Sequence, residues 1–188
     1  FLLTLATPAP ALDLVWEKTA ANSSWSTAAN WRDGVPPSTS RTTDTLSFFG
    51  GSTFGGPVQN DIPNLEIAEL SLGGSFSGSS ARLTGQMLRL VDLTTGISSG
   101  STFTFQNAFT LTGTPSFGWD LSTNPSSGSA TVNFEGQVDA GPFVLDVRGR
   151  NFSVFKGGIT AGSRDIGNNF LRVECIGDGA VQVDPRDG

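Results

Sequence analysis

The side chains in this chain that could do chemistry are its carboxylates, because the usual nucleophile partners are missing. Among 188 residues there is no His and no Tyr, and a single Cys. That composition excludes Ser-His-Asp and Cys-His mechanisms and His-ligated zinc. Cys175 can form no internal disulfide and sits beside Val173 and Ile176, the setting of a buried structural thiol. Glu135, Asp139 and Asp146 are the natural candidates for glycoside chemistry, which needs two carboxyl groups about 5 Å or about 6.5–9.5 Å apart. Asp139 with Asp146, or Glu135 with Asp146, would meet only if adjacent strands stacked them on one face. Solvated carboxylates are far commoner than catalytic pairs, so no catalytic residue is assigned.

Two further constellations bear on chemistry. A lyase would want acidic residues for a cation with a nearby Arg or Lys, and Asp146, Arg148, Arg150 and Lys156 lie close in sequence. Arg148 and Arg150 flank Gly149, however, and a surface turn explains them without any reaction. Calcium could be held by Asp165-Ile166-Gly167-Asn168-Asn169 and Asp178-Gly179. Neither stretch has EF-hand spacing or a glycine-rich nonapeptide repeat, and Asp, Asn and Gly are ordinary turn formers. The sequence therefore points to no cofactor and no metal.

Charge narrows the partners. The formal net charge is −6, and no Lys or Arg lies between Leu90 and Val147, whereas Asp92, Asp120, Glu135, Asp139 and Asp146 do. Nucleic acid is excluded as a partner, since phosphate binding needs a basic stripe. Charged residues make up 15%, well under the roughly 25% of an average soluble domain. With 14 Phe, 4 Trp and 24 Gly, the composition is that of an all-β protein with many tight turns. Beyond the N-terminus, no stretch approaches the roughly 18 apolar residues of a membrane span.

The elements that must position all of this are short and extended. Leu88-Arg89-Leu90, Phe103-Thr104-Phe105, Phe109-Thr110-Leu111, Val132-Asn133-Phe134, Phe143 to Val147, Phe152-Ser153-Val154 and Leu171-Arg172-Val173 each place apolar residues two apart. That spacing puts them on one face of a strand. Leu65, Ile67, Leu70 and Leu72 read as strand too, since the segment ends at Gly73-Gly74 too soon for a stable helix. Pro57 to Asn64 reads as a connector and Gly50 to Gly56 as a loop. Asn133, Asn151 and Asn168-Asn169 are candidates for a structural amide ladder.

Residues 1–11, FLLTLATPAPA, lack an initiating Met. An apolar run followed by Ala9-Pro10-Ala11 has the form of a signal-peptide end, which implies export and a chain that is part of something longer. Residues 12–56 then read as a distinct cap and 57–188 as stacked strands, incomplete at the C-terminal side. In the cap Leu12, Leu14 and Trp16 alternate, Asp33-Gly34 and Pro36-Pro37 force turns, and Leu46 and Phe48 begin another strand.

Trp16, Trp25-Ser26-Thr27, Asn30-Trp31, Gly34, Pro36, Asp44, Leu46 and Phe48 form a pattern, WSTxxNWxxGxP followed by DxLxF. It resembles the opening of bacterial autotransporter-associated β-strand repeat proteins. The phrases Leu90 to Ile97 and Phe155 to Thr160 are similar to that family's strand-glycine-isoleucine repeats, so the likeness covers nearly all of the chain after the leader. It implies a single-stranded right-handed parallel β-helix, secreted or at a bacterial cell surface, with an adhesin-like rather than enzymatic role and cell-surface or matrix glycans as partners. The three clustered tryptophans could stack on sugars, but the first repeat of a solenoid must differ from the inner ones, so they are expected to plug the end of the stack. Asn30 would then satisfy loop backbone groups.

The repeat is irregular. Leu90 to Leu111, 21 positions, fits one coil, and Gly96-Ile97 and Gly158-Ile159, 62 positions apart, fit three coils of about 20 residues. The competing architecture is an antiparallel sandwich, whose turns would be spaced similarly. A polysaccharide-active enzyme and a carbohydrate-binding module are the rival functions.

Overall fold

A computed structural model describes residues 10–17, 23–49, 57–76, 81–98, 100–113, 119–123, 130–143, 145–148, 152–161, 171–173 and 181–183. The leader through Ala9, the loop Gly50 to Gly56, Arg150, Asn151, Asn168-Asn169, Cys175 and both candidate calcium turns lie outside the described residues. In chain order the strands are β1 (Asp13–Val15), β2 (Thr45–Phe49), β3 (Pro57–Asn60), β4 (Glu66–Gly74), β5 (Arg82–Gly85), β6 (Leu88–Ile97), β7 (Thr102–Phe105) and β8 (Phe109–Leu111). They continue with β9 (Trp119–Thr123), β10 (Thr131–Phe134), β11 (Val138–Gly141), β12 (Leu145–Arg148), β13 (Phe152–Phe155), β14 (Ile159–Ala161), β15 (Leu171–Val173) and β16 (Val181–Val183). Among the described residues the one helical element is a 3-10 turn, Ala28–Asn30.

Every pair among these strands is parallel, which rules out the sandwich. One face of the stack is a six-stranded sheet in the order β16-β13-β10-β7-β5-β3. The second sheet forks at β6: Leu88–Leu90 pair with β8, and Thr94–Ile97 pair with β9. One limb continues through β11 and β14, the other through β12 and β15. Each coil thus crosses three faces before it returns above itself, and the architecture is a parallel β-solenoid.

The fork has a legible cause in the side-chain phase. In β4, Ile67 and Leu70 are both buried with Ala68 and Glu69 half-exposed between them; β6 repeats this with Leu90, Val91, Asp92 and Leu93. Strict alternation would turn Leu70 outward. Two successive outward residues instead carry the strand round a corner, and the corners coincide because Ile67 pairs with Leu90 and Leu70 with Leu93. The three-residue apolar gap in the sequence is therefore a bend in one strand, and no helical turn.

Inward residues stack in columns. Phe105, Phe134 and Phe155 occupy one register column, with ring centroids 5.0 Å and 4.4 Å apart and the second pair within 3° of parallel. Neighbouring strands are about 4.8 Å apart, so in-register identical rings fall into contact without further adjustment. Phe109 packs edge-on to Phe105 at 5.1 Å, and Trp119 stacks on Phe134 at 5.8 Å. Aromatic pairs of this kind contribute about 0.5–1.5 kcal/mol each beyond their buried area.

Several readings of the sequence need correction. Pro57–Asn60 is the first strand of the six-stranded face and no connector, with Val58 and Asn60 wholly buried. In Phe152-Ser153-Val154 the phase is inverted: Ser153 is buried, and Phe155 continues the aromatic column. Leu90 and Leu111 are indeed one coil apart in register. The match of Gly96-Ile97 to Gly158-Ile159 fails, because Ile97 pairs with Thr123 whereas Ile159 stands above Val138 on another face. Coil length is not constant, 21 positions from Leu88 to Phe109 but 29 from Phe109 to Val138, so a fixed period misplaces distant residues.

The N-terminal segment closes one end. β1 adds in parallel to β2, Ser24 bridges to Gln59, and Trp16 bridges to Trp31. Trp16, Trp25 and Trp31 are 2%, 0% and 3% exposed and surround Phe48 at 5.5–5.8 Å. Asn30, also buried, donates from Nδ2 to the Ser24 carbonyl, as expected of an amide supporting this loop. Trp31 Nε1 donates to the Trp25 carbonyl at 2.7 Å, while the indole N–H groups of Trp16 and Trp25 have no partner among the described residues. Each unmade bond costs about 1–3 kcal/mol, a penalty the buried ring area must offset.

Candidate functional site

The polar residues that alternate with the core column project from the coils, and register brings them together across coils. On the six-stranded face Gln106 donates to Glu135 at 2.9 Å, and the Lys156 ammonium lies 3.9 Å from the same carboxylate. On the β8 limb Arg89 pairs with Glu66 at 3.1 Å, and the Thr160 hydroxyl donates to Asp139 at 3.3 Å. On the β9 limb Thr94 donates to Glu69 at 2.7 Å and Ser47 to Asp13 at 2.7 Å. Each contact joins one coil to the next. The ion pairs are exposed, so each contributes at most about 1 kcal/mol.

This geometry scatters the sequence candidates. Glu135 follows β10 on the six-stranded face, Asp139 belongs to β11 on the β8 limb, and Asp146 belongs to β12 on the β9 limb. Neither carboxylate pair considered for glycoside chemistry shares a face. Lys156 meets Glu135 and stands on a different face from Asp146. Asp146 lies in register with Arg172, and Arg148 with Asp120. Asn133 sits mid-strand and half-exposed, so it forms no inward ladder. Among the described residues no group of three or more His, Cys, Asp or Glu side chains could hold a metal ion. No helix among them is long and apolar enough to cross a membrane.

Reasoning from sequence misses two acidic residues that organise the cap. Asp44 is fully buried. Its Oδ1 accepts the Leu12 N–H at 3.1 Å, and its Oδ2 accepts Arg41 Nε at 2.8 Å. Arg41 also donates from Nη2 to the Pro36 carbonyl at 2.7 Å, so one ion pair fastens the turn region, the incoming strand and β2. The spacing of Arg41 and Asp44, three apart across a turn, is the available signal.

Asp61 plays a similar part at the surface. It accepts hydrogen bonds from both the backbone N–H and the hydroxyl of Ser26, joining the Trp25 loop to the segment after β3. Partial burial pushes its carboxyl up, but the Ser26 hydroxyl and neighbouring backbone N–H groups outweigh that and hold it below the ordinary aspartate value. A depressed folded-state value means stability that is complete above the unfolded value of about 3.9 and is lost as pH falls through the folded one. Acid titration followed by tryptophan emission should therefore show the cap loosening at the acid end of that window. Asp61→Asn is expected to remove this component; an unchanged acid limb would mean that the contact contributes nothing.

Glycans could not stack on the cap tryptophans without opening it, since all three rings are interior. In comparisons with family models, curated proteins and solved structures, the chain matches none.

Proposed function

We propose that this chain is a non-enzymatic segment of a secreted or cell-surface protein, an adhesin-like β-solenoid whose work is mechanical and adhesive. The observation that carries the reading is the inter-coil pairing of outward polar side chains: Glu66–Arg89, Glu69–Thr94 and Gln106–Glu135–Lys156 are engaged in bracing neighbouring coils. Catalysis needs polar groups converging on one substrate, and here they are committed along the stack axis. A solenoid bearing repeated Ser, Thr and short charged positions offers a long surface for cell-surface or matrix glycans. The sequence resemblance to autotransporter-associated repeat proteins and the signal-like Ala9-Pro10-Ala11 support an extracellular setting.

The test incubates the purified chain with immobilised matrix glycans and, separately, with soluble acidic polysaccharides plus calcium. Saturable retention with polymer length unchanged is expected. Release of reducing or unsaturated sugar ends would overturn the reading in favour of a polysaccharide-active enzyme.

A further inference from the structure

Among the described residues, Leu12 is where the chain joins the hydrogen-bonded structure. Its N–H is held by Asp44 at 3.1 Å and its carbonyl accepts the Thr45 N–H at 2.8 Å. Pro10 and Ala11, immediately before it, are exposed. Asp44 is 0% exposed, and its carboxylate lies directly on the Leu12 nitrogen. A buried carboxylate is costly unless its partners are strong. Its present donors are Arg41, which also serves the Pro36 carbonyl, and one neutral amide.

We propose that the Ala11–Leu12 bond is a proteolytic processing site and that Asp44 is built to receive the amino group released on Leu12. Ala9 and Ala11 stand three and one positions before that bond, the small residues a leader-removing endopeptidase requires. Such a peptidase adds water across the amide. The C–N bond breaks, the hydroxyl stays on the Ala11 carbonyl carbon as a carboxylate, and the protons leave Leu12 as an ammonium. Its nitrogen is already at hydrogen-bonding distance from Asp44 Oδ1, so an amide–carboxylate contact becomes a charge-assisted one, roughly twice as strong. Of the neighbouring charges, the Arg41 guanidinium shares the Asp44 carboxylate, and the carboxylate of Asp13, the next residue, is bonded to the Ser47 hydroxyl. Cleavage would thus lock the cap as it frees the chain.

This inference rests on the export reading, and the experiment separates the two. The full chain is treated with a purified leader peptidase in detergent micelles, the product mass is measured, and cut and uncut chains are melted at pH about 6 and about 10, each with and without Asp44→Asn. A free amine titrates at about 7.7–8.0. Beside Asp44 its folded value is raised, so the added stability is complete below that range and disappears as pH rises through the folded value. The expected product begins at Leu12, and at the lower pH its folding constant exceeds that of the uncut chain by about tenfold, one pKa unit of coupling. That excess is absent at the higher pH and in Asp44→Asn. Cleavage at Leu12 without the pH-dependent excess overturns the inference and leaves export standing; no cleavage there overturns both.

Discussion

Phe134→Asp is expected to abolish cooperative folding of the middle coils, whereas Asn133→Asp, one residue away, should change stability by no more than about 0.5 kcal/mol. Phe134 is wholly buried, stacked between Phe105 at 5.0 Å and Phe155 at 4.4 Å and flanked by Trp119 at 5.8 Å. Losing such a ring costs about 3–5 kcal/mol. The carboxylate adds the penalty of a charge enclosed by aromatic rings. Together these rival the whole stability of an ordinary domain, about 5–15 kcal/mol. Asn133 points the other way and is half-exposed, so a charge there stays hydrated. Circular dichroism melts and amide exchange would read the contrast: in Phe134→Asp, protection of β7, β10 and β13 should vanish first. A Phe134→Asp melt within about 2 °C of the parent, where even 1 kcal/mol shifts the midpoint by about 2–4 °C, would sink the inward assignment of this column.

How much of this is legible in the sequence depends on how local the signal is. Phe103-Thr104-Phe105 and Val132-Asn133-Phe134 give the right phase, because both flanking apolar residues truly face inward. Phe152-Ser153-Val154 misleads because hydropathy alone assigns its phase. Register with β10 places Ser153 beside Val132 and Phe155 beside Phe134, and the neighbouring coil overrides the local pattern. The sealing role of Trp16, Trp25 and Trp31 follows from a general need: the first coil has no predecessor to cover its interior. For Asp44 the only local sign is Arg41 three residues before it, and Asp61 has none, because the backbone partners they fasten, Leu12 and Ser26, lie 32 and 35 positions away.

Variable coil length explains the remaining misses. A strict repeat would expose equivalent residues by period, but loops between faces differ from coil to coil, and only hydrogen-bonded strands keep register. The resulting solenoid preserves what must be stacked, the inward column and the corner, and leaves turn length free. Which candidate side chains share a face is hidden for the same reason. Proximity in sequence, as for Asp146 and Lys156, says little when a short run of residues carries the chain from one face to the next.

The corner after the six-stranded face yields the second large prediction, from the smallest possible change. Asn60 pairs with Gly85, and Asn107, Gly136 and Gly157 continue that column by the register of β5, β7, β10 and β13. The buried amides of Asn60 and Asn107 both donate to the Gln86 carbonyl, at 3.1 Å and 2.6 Å, gripping it from adjacent coils. Backbones approach so closely here that a Cβ on Gly136 would stand 1.9 Å from the Asn107 carbonyl oxygen, and one on Gly157 would stand 2.3 Å from Gly136. No side-chain rotation relieves a clash with backbone; the coils must part, breaking hydrogen bonds such as Glu135 N–H to Phe105 O at 2.7 Å. Gly136→Ala is therefore expected to cost about 3 kcal/mol or more, the upper end of overpacking penalties. Gly100→Ala separates this from backbone preference: Gly100 has φ +73° and nothing within 4 Å of where a Cβ would stand, so only the left-handed conformation is strained, at about 1–2 kcal/mol. Urea denaturation midpoints of the two variants should differ clearly, with Gly136→Ala the lower. Equal midpoints would mean that the coils can spread at this corner without loss, and that close stacking there does not hold the solenoid together.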